Sequence, residues 1–212
     1  MPTIIPAILE ETKEAFLQKL SLVSKIPGVE RIQVDFGDGE FISNRLLSAA
    51  EIDGLNPAIH FEAHLMIKAP KDFLDYQICG FKTIIIHYEA YESAVDVKSA
   101  LDELRKMGFK TGVAINPDTA VKVLKDLVAD QYLIMGVVPG RQGQAFISST
   151  INRIGELRKL IPNAIIEVDG GINMDNVKEV AQVGADFIVA GSAVVGQENP
   201  NEAFEKLKQM AN

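Results

Sequence analysis

The chain has no tryptophan, a single cysteine and only three histidines among its 212 residues. Each scarcity closes a class of function. One thiol, Cys79, can form neither an intramolecular disulfide nor a thiolate metal cluster. In Tyr76-Gln-Ile-Cys-Gly80 it reads as a small buried filler at the end of a helix. No apolar run approaches the roughly 18 residues of a membrane span, and no leader-like segment opens the sequence. A cytoplasmic protein with no membrane partner is therefore expected. Positive charge is also short. A formal net charge of −8 lacks the basic stripe that nucleic acid would require, so no nucleic-acid partner is expected. A phosphorylated small molecule remains compatible, because neutral backbone amides hold phosphate. Finally, the Gly-x-Gly-x-x-Gly turn of dinucleotide-binding sheets is missing after the first apolar run, which reads Ile4-Ile-Pro-Ala-Ile-Leu-Glu10.

What is present is a rhythm. Short apolar runs recur at 3–9, 31–36, 59–66, 83–87, 110–115, 132–138, 165–168 and 186–190. Their continuous Ile/Val content, without polar alternation, suits strands buried on both faces. Between them the apolar residues take helical spacing: Ala94, Val97, Leu101, Leu104 and Met107; Val121, Leu124 and Leu127; Ile151, Ile154, Leu157 and Leu160. Gly80, Gly108 and Gly184 fall where helices should stop. Eight strands alternating with helices, with no linker or composition break, predict an α/β protein in which residues 1–212 form a single-domain (β/α)8 TIM barrel. A Rossmann-like open sheet is the competing architecture.

Two of the runs end in an aspartate followed by glycine: Arg31-Ile-Gln-Val-Asp-Phe-Gly-Asp-Gly39 and Ala164-Ile-Ile-Glu-Val-Asp-Gly-Gly171. An unpaired carboxylate costs several kcal/mol to bury, so one that closes an apolar run needs a reason. The bland reason is a turn-starting Asp satisfied by backbone N–H groups. In a barrel, however, Asp35 and Asp169 project from the C-terminal edge, where such folds place their chemistry. Gln33 and Asp35 are two residues apart and share a face, as do His64 and Met66. One inward-facing cluster of Gln33, Asp35, His64 and Asp169 is a candidate site for a divalent cation. His87 and His60 read more simply as hydrogen-bonded barrel histidines. Late in the chain, three glycine-bearing loops follow successive strands: Val138-Pro-Gly-Arg-Gln-Gly-Gln144, Asp169-Gly-Gly171 and Ala190-Gly-Ser192. Barrels hold phosphate there on backbone N–H groups and a helix N-terminus, which makes Gly140, Gly143, Gln144, Gly170, Gly171, Gly191 and Ser192 candidate phosphate-binding residues. Arg141 reads equally as an added charge for that phosphate or as a solvated loop residue. Ala7, Met66 and Met135 are candidate pocket residues, the methionines as an apolar cap.

Pro6-Ala-Ile-Leu9, Val34-Asp-Phe-Gly-Asp-Gly39 with Phe41 and Asn44, and His64-Leu-Met-Ile67 resemble the ribulose-phosphate 3-epimerase family. So do His87-Tyr-Glu-Ala90, Ala114-Ile-Asn-Pro117, Met135, Pro139-Gly140, Gly143-Gln144, Glu167-Val-Asp-Gly-Gly171 and Val189-Ala-Gly-Ser-Ala193. The matches run in order along nearly the whole chain. The resemblance implies interconversion of D-ribulose 5-phosphate and D-xylulose 5-phosphate, with Asp35 and Asp169 as an acid–base pair working on opposite faces of C3 through an enediolate. It also implies a homo-oligomer and a divalent metal (Zn, Mn, Fe or Mg) held by two histidines and the two aspartates. Here the second histidine is His64, but the first position is Gln33, so weakened, altered or absent metal binding is expected. Ala7 stands where the family has serine, Gly37 where it has methionine, Glu40 where it has histidine, Gln142 where it has glycine and Val138 where it has an acidic residue. The aldolase and decarboxylase relatives carry a lysine just after the first aspartate, and Asp35-Phe-Gly-Asp38 has none. A non-catalytic or differently reacting phosphosugar-binding barrel with a decayed metal site is the alternative.

Overall fold

In the computed structural model, which describes residues 1–212, eight parallel strands close on themselves in chain order, β1 pairing with β8. The strands are β1 Thr3–Ile8, β2 Arg31–Gly37, β3 His60–Met66, β4 Thr83–His87, β5 Lys110–Ile115, β6 Gln131–Met135, β7 Ile166–Asp169 and β8 Phe187–Ala190. Around them lie α1 Lys13–Val23, α2 Leu74–Cys79, α3 Ala94–Lys106, α4 Thr150–Leu160, α5 Val177–Gln182 and α6 Pro200–Met210. No helix is long and apolar enough to cross a membrane. The barrel expectation therefore holds, and the open-sheet alternative falls.

The outer faces of the strands and the inner faces of the helices form one cluster of 49 buried apolar residues, which carries most of the burial energy of the fold. Local signals set the helices. Thr12, Ser93 and Asn199 accept N-capping bonds from Ala15, Asp96 and Glu202, and Pro200 opens α6 where its missing N–H is harmless. Gly80, Gly108 and Gly184 all have positive φ just past the ends of α2, α3 and α5.

Two local expectations fail. The 121–127 stretch forms a 3-10 turn, Val121–Leu124, rather than an α-helix. Its apolar residues recur every third position, a period that 3-10 bonding satisfies. The bonds Val123 to Ala120, Lys125 to Lys122 and Leu127 to Leu124 follow that pattern, and the Tyr132 hydroxyl donates to the Leu127 carbonyl. β6 ends at Met135, not at 138. There the Gly136 N–H bonds to the Asp169 carbonyl, and the chain leaves the barrel with Val138 59% exposed.

Inside the barrel the side chains stack in layers from alternate strand positions. Arg31, Glu62, Thr83, Gln131 and Glu167 meet near the N-terminal end of the strands; Gln33, Asp35, His64, His87 and Asp169 meet near the C-terminal end. Apolar Ile5, Ala7 and Val189 fill one side, and Ile85, Ala114, Leu133 and Met135 the other.

Candidate active site

Strand register builds the site. Asp35 on β2 lies directly beside His64 on β3, and Asp169 on β7 lies beside Met135 on β6. Gln33, two residues before Asp35, spans the barrel between them. Its Nε2 donates to Asp35 Oδ1 and to Asp169 Oδ2, both at 2.8 Å. His64 Nδ1 lies 2.9 Å from Asp35 Oδ1 and 3.4 Å from Asp169 Oδ2. The four residues grouped from the sequence do converge, and Gln33 and His64 are fully buried.

The electrostatics follow from that burial. Desolvation raises the Asp35 pKa, and the neighbouring Asp169 charge adds to the rise; hydrogen bonds from His64 and Gln33 oppose it. For His64 burial works toward the neutral ring, but hydrogen bonds and charges from Asp169 and Asp35 outweigh it and raise the pKa to about 9. The imidazolium is thus the positive charge between two carboxylates. Next to it His87 is also fully buried, and its pKa is lowered to about 4, chiefly by desolvation.

Ligand atoms of Asp35, His64 and Asp169 all lie within 4.8 Å of one another, a spacing that suits one divalent cation. Gln33 supplies a test of fit. Its Oε1 is buried and has no hydrogen-bond partner. A half-turn of the amide exchanges Oε1 for Nε2 and aims that orphaned acceptor at the same centre. The donor set fits a cation through two carboxylates, one imidazole and one amide oxygen.

Above the cluster opens a solvent-connected cavity. Ala7, Met66 and Met135 line it, as do Gly140, Gly143, Gln144, Gly170, Gly171, Gly191 and Ser192. Every pocket and phosphate candidate read from the sequence therefore faces one space. Gly170 and Gly171 are required there: both have positive φ, and a Cβ would lie 2.4 Å from Val137 Cγ2 at the first and 2.7 Å from the Phe146 backbone at the second. Beyond β8 no α-helix begins at Ser192. A single turn closed by the Val195 N–H on the Gly191 carbonyl takes its place, and α6 starts only at Pro200. Sequence reading gave no role to Ile42, whose Cδ1 occupies the space a side chain at Gly37 would need, 2.4 Å from its Cβ position. Gln142 also lines the cavity, with Nε2 buried and without a partner.

This geometry defines a class: a (β/α)8 barrel with paired carboxylates and an imidazole at the carboxyl end, beside a glycine-lined cavity. Residues 3–195 match the model of the ribulose-phosphate 3 epimerase family, and the chain belongs to that family. It is 34% identical to the chloroplastic ribulose-5-phosphate-3-epimerase of Arabidopsis thaliana, over 97% of this chain and 75% of that one. It is 30% identical to the ribulose-phosphate 3-epimerase of Bacillus subtilis, over 98% of this chain and 99% of that one. Among solved structures, a 3-hexulose-6-phosphate synthase superposes with a TM-score of 0.72 at 16% identity, covering 98% of each chain. KGPDC from Streptococcus mutans gives a TM-score of 0.74 at 14% identity, over 99% of this chain and 97% of that one. At such identity these two likenesses are of fold.

Proposed function

We propose that the chain is a ketose-phosphate 3-epimerase that interconverts D-ribulose 5-phosphate and D-xylulose 5-phosphate. The observation that carries this reading is the pair Asp35 and Asp169, brought from β2 and β7 to the two N–H bonds of one amide nitrogen and facing a single cavity. One carboxylate takes the C3 proton, and the other returns a proton to the opposite face of the enediolate. Desolvation suits Asp35 to this work, since it raises the basicity of a carboxylate toward working pH. The backbone amides of Gly140, Gly143, Gly170, Gly171, Gly191 and Ser192 bind the phosphate and fix the sugar's length in the cavity, while the Gln144 side chain, whose Nε2 donates to the Val138 and Arg141 carbonyls, shapes their loop. Ala7, Met66 and Met135 keep water from the reacting carbons.

His64 Nδ1, Asp35, Asp169 and Gln33 Oε1 are the groups that would hold a divalent cation. Such a cation supplies Lewis-acid stabilisation of the oxyanion that develops when the C3 proton leaves. An amide oxygen is a poorer ligand than imidazole for Zn²⁺ and suits harder ions, so Gln33 weakens zinc binding and shifts preference toward Mg²⁺ or Mn²⁺. A cytoplasmic location and self-association complete the proposal. Supporting them are the lone buried thiol of Cys79 and the apolar Leu74 and Ile78, exposed one turn apart on α2.

The test is deuterium uptake at C3 of ribulose 5-phosphate in D2O, with and without Mg²⁺, Mn²⁺ or Zn²⁺. Label uptake together with xylulose 5-phosphate is expected. Neither product under any ion would leave a phosphosugar-binding barrel without epimerase chemistry.

A further inference from the structure

Behind the carboxylates runs a buried line of hydrogen bonds that the proton transfers do not use. His64 Nε2 lies 2.8 Å from His87 Nε2, and the two rings stack with centroids 5.0 Å apart and planes 25° from parallel. His87 Nδ1 in turn lies 3.4 Å from Glu89 Oε2. Glu89 is anchored at its other oxygen, Oε1, by the Asn116 backbone N–H at 2.7 Å. Arg153 fixes that backbone by donating to the Asn116 and Thr119 carbonyls at 2.7 and 2.8 Å. Phe41 covers the His87 ring at 4.8 Å. Both imidazoles are fully buried, so neither nitrogen of the shared bond has water as an alternative partner.

The direction of this line follows from donor counting. Two nitrogens 2.8 Å apart share one proton, so one donates and the other accepts. Glu89 Oε2 is a single carboxylate acceptor 3.4 Å from His87 Nδ1, whereas His64 Nδ1 faces two carboxylates at 2.9 and 3.4 Å, so His87 carries its one proton on Nδ1 and any second proton of the pair sits on His64. His87 Nε2 is then an acceptor, and the shared proton belongs to His64 Nε2. That leaves His64 Nδ1 as the atom that serves Asp35 and Asp169, whether it carries a proton or offers a lone pair.

We propose that His87, oriented by Glu89, is a positioning residue that holds the His64 ring with Nε2–H pointing away from the site and Nδ1 pointing into it. The inference rests on the epimerase reading only for its consequence in catalysis; the hydrogen-bond geometry stands without it. The arrangement makes the β4 strand end a working part of the centre, through an imidazole that touches neither substrate nor cation. Ring orientation enforced by an outer hydrogen bond is worth about 10- to 100-fold in ion affinity or activity.

With only His60, His64 and His87 in the chain, ¹⁵N-histidine NMR of the wild-type protein reads the line directly. A scalar coupling between the two Nε2 atoms is expected, with the proton on His64, and with the His87 proton on Nδ1. A shared proton residing on His87, or no coupling, would overturn the proposal. Two variants then separate positioning from packing. His87→Gln keeps an acceptor for His64 Nε2–H, whereas His87→Phe fills the space without one. The Phe variant should bind Mn²⁺ about 10- to 100-fold more weakly and lower kcat by a similar factor with KM little changed, while the Gln variant recovers most of both. Equal behaviour of the two folded variants would overturn it as well. Loss of C3 exchange in the wild type, with the coupling intact, would defeat the epimerase reading and leave the positioning role in place.

Discussion

The two ends of this barrel interior hold polar clusters of similar parts and opposite design. Each contains two carboxylates, a side-chain amide and a histidine nearby. At the lower end Arg31 pairs with Glu62, its Nε donating at 2.6 Å, and its guanidinium lies 4.5 Å from the Phe187 ring centre. Gln131 bridges Arg31 and the two glutamates. Desolvation first, then the Glu62 charge, raise the Glu167 pKa well above normal. The upper end has no permanent cation. Its charge is met by a protonated His64 and a neutral Gln33 amide, both of which can yield to an ion or a substrate. A guanidinium cannot lose its charge in a protein; an imidazole can. The lower cluster is built to stay as it is, the upper one to change.

The largest effects should separate these designs. Asp35→Asn and Asp169→Asn should each cut epimerisation about 10²- to 10⁴-fold while leaving unfolding free energy within about 1 kcal/mol. A two-face mechanism adds a sharper outcome in D2O: each variant still exchanges the C3 proton of one epimer, a different one in each case, without forming the other. Exchange of both epimers by either variant would place both proton transfers on one carboxylate. At the lower end Arg31→Met should do the reverse. It strands Glu62 without its cation and should cost about 3–5 kcal/mol by urea denaturation, with kcat of the folded protein nearly unchanged. A variant that kept its stability and lost its turnover would erase the distinction between the two ends.

A smaller effect tests how the upper end accepts charge. Gln33→His should raise Zn²⁺ affinity about 10- to 100-fold over the wild type, measured by chelator competition, and reduce the preference for Mn²⁺. Unchanged zinc affinity would mean that the side chain at 33 lies outside the ligand set, and that the unpartnered Oε1 has another explanation.

The two ends also differed in how far the sequence exposed them. Asp35 and Asp169 were legible because each breaks an apolar run at its glycine-marked end, where a carboxylate has no packing reason to be. Gln33 and His64 followed from alternation alone. Glu62, Gln131 and Glu167 carry no such mark. They sit inside or at the edges of apolar runs, and only barrel closure shows that strands three, six and seven bring them together. The His87–Glu89 line was invisible for a similar reason: its direction depends on which nitrogen faces which oxygen, a fact of three dimensions. The 121–127 stretch failed differently, since apolar residues at every third position satisfy both the 3-10 and the α period. The barrel itself was readable from eight buried-type runs, because closing a sheet of parallel strands is the simplest way to leave no edge.

The mildest difference is in pH. At the lower end His60 Nε2 lies 2.8 Å from Thr83 Oγ1, and its pKa is lowered to about 4 by burial and then by the charges of Arg31, Lys110 and Lys82. A folded-state pKa below the unfolded value of 6.5 means that the unfolded chain takes up a proton the folded chain refuses. Its contribution to stability is therefore complete above pH 6.5 and lost as pH falls toward 4. His64 has the opposite sign. Raised to about 9, it contributes fully below its unfolded value and loses that contribution as pH rises through 9. The two histidines therefore act with opposite sign, His60 weakening the fold in acid and His64 in alkali. His60→Gln keeps a hydrogen-bonding group for Thr83 without the titration. Between pH 7 and pH 4.5 it should lose about 1–2 kcal/mol less stability than the wild type, a figure reduced for the partial exposure of the ring. Above pH 8 the two proteins should lose stability in parallel, because His60 is neutral in both the folded and the unfolded chain there. Urea midpoints across that range decide it, and equal losses on the acid side would remove His60 as a source of the asymmetry.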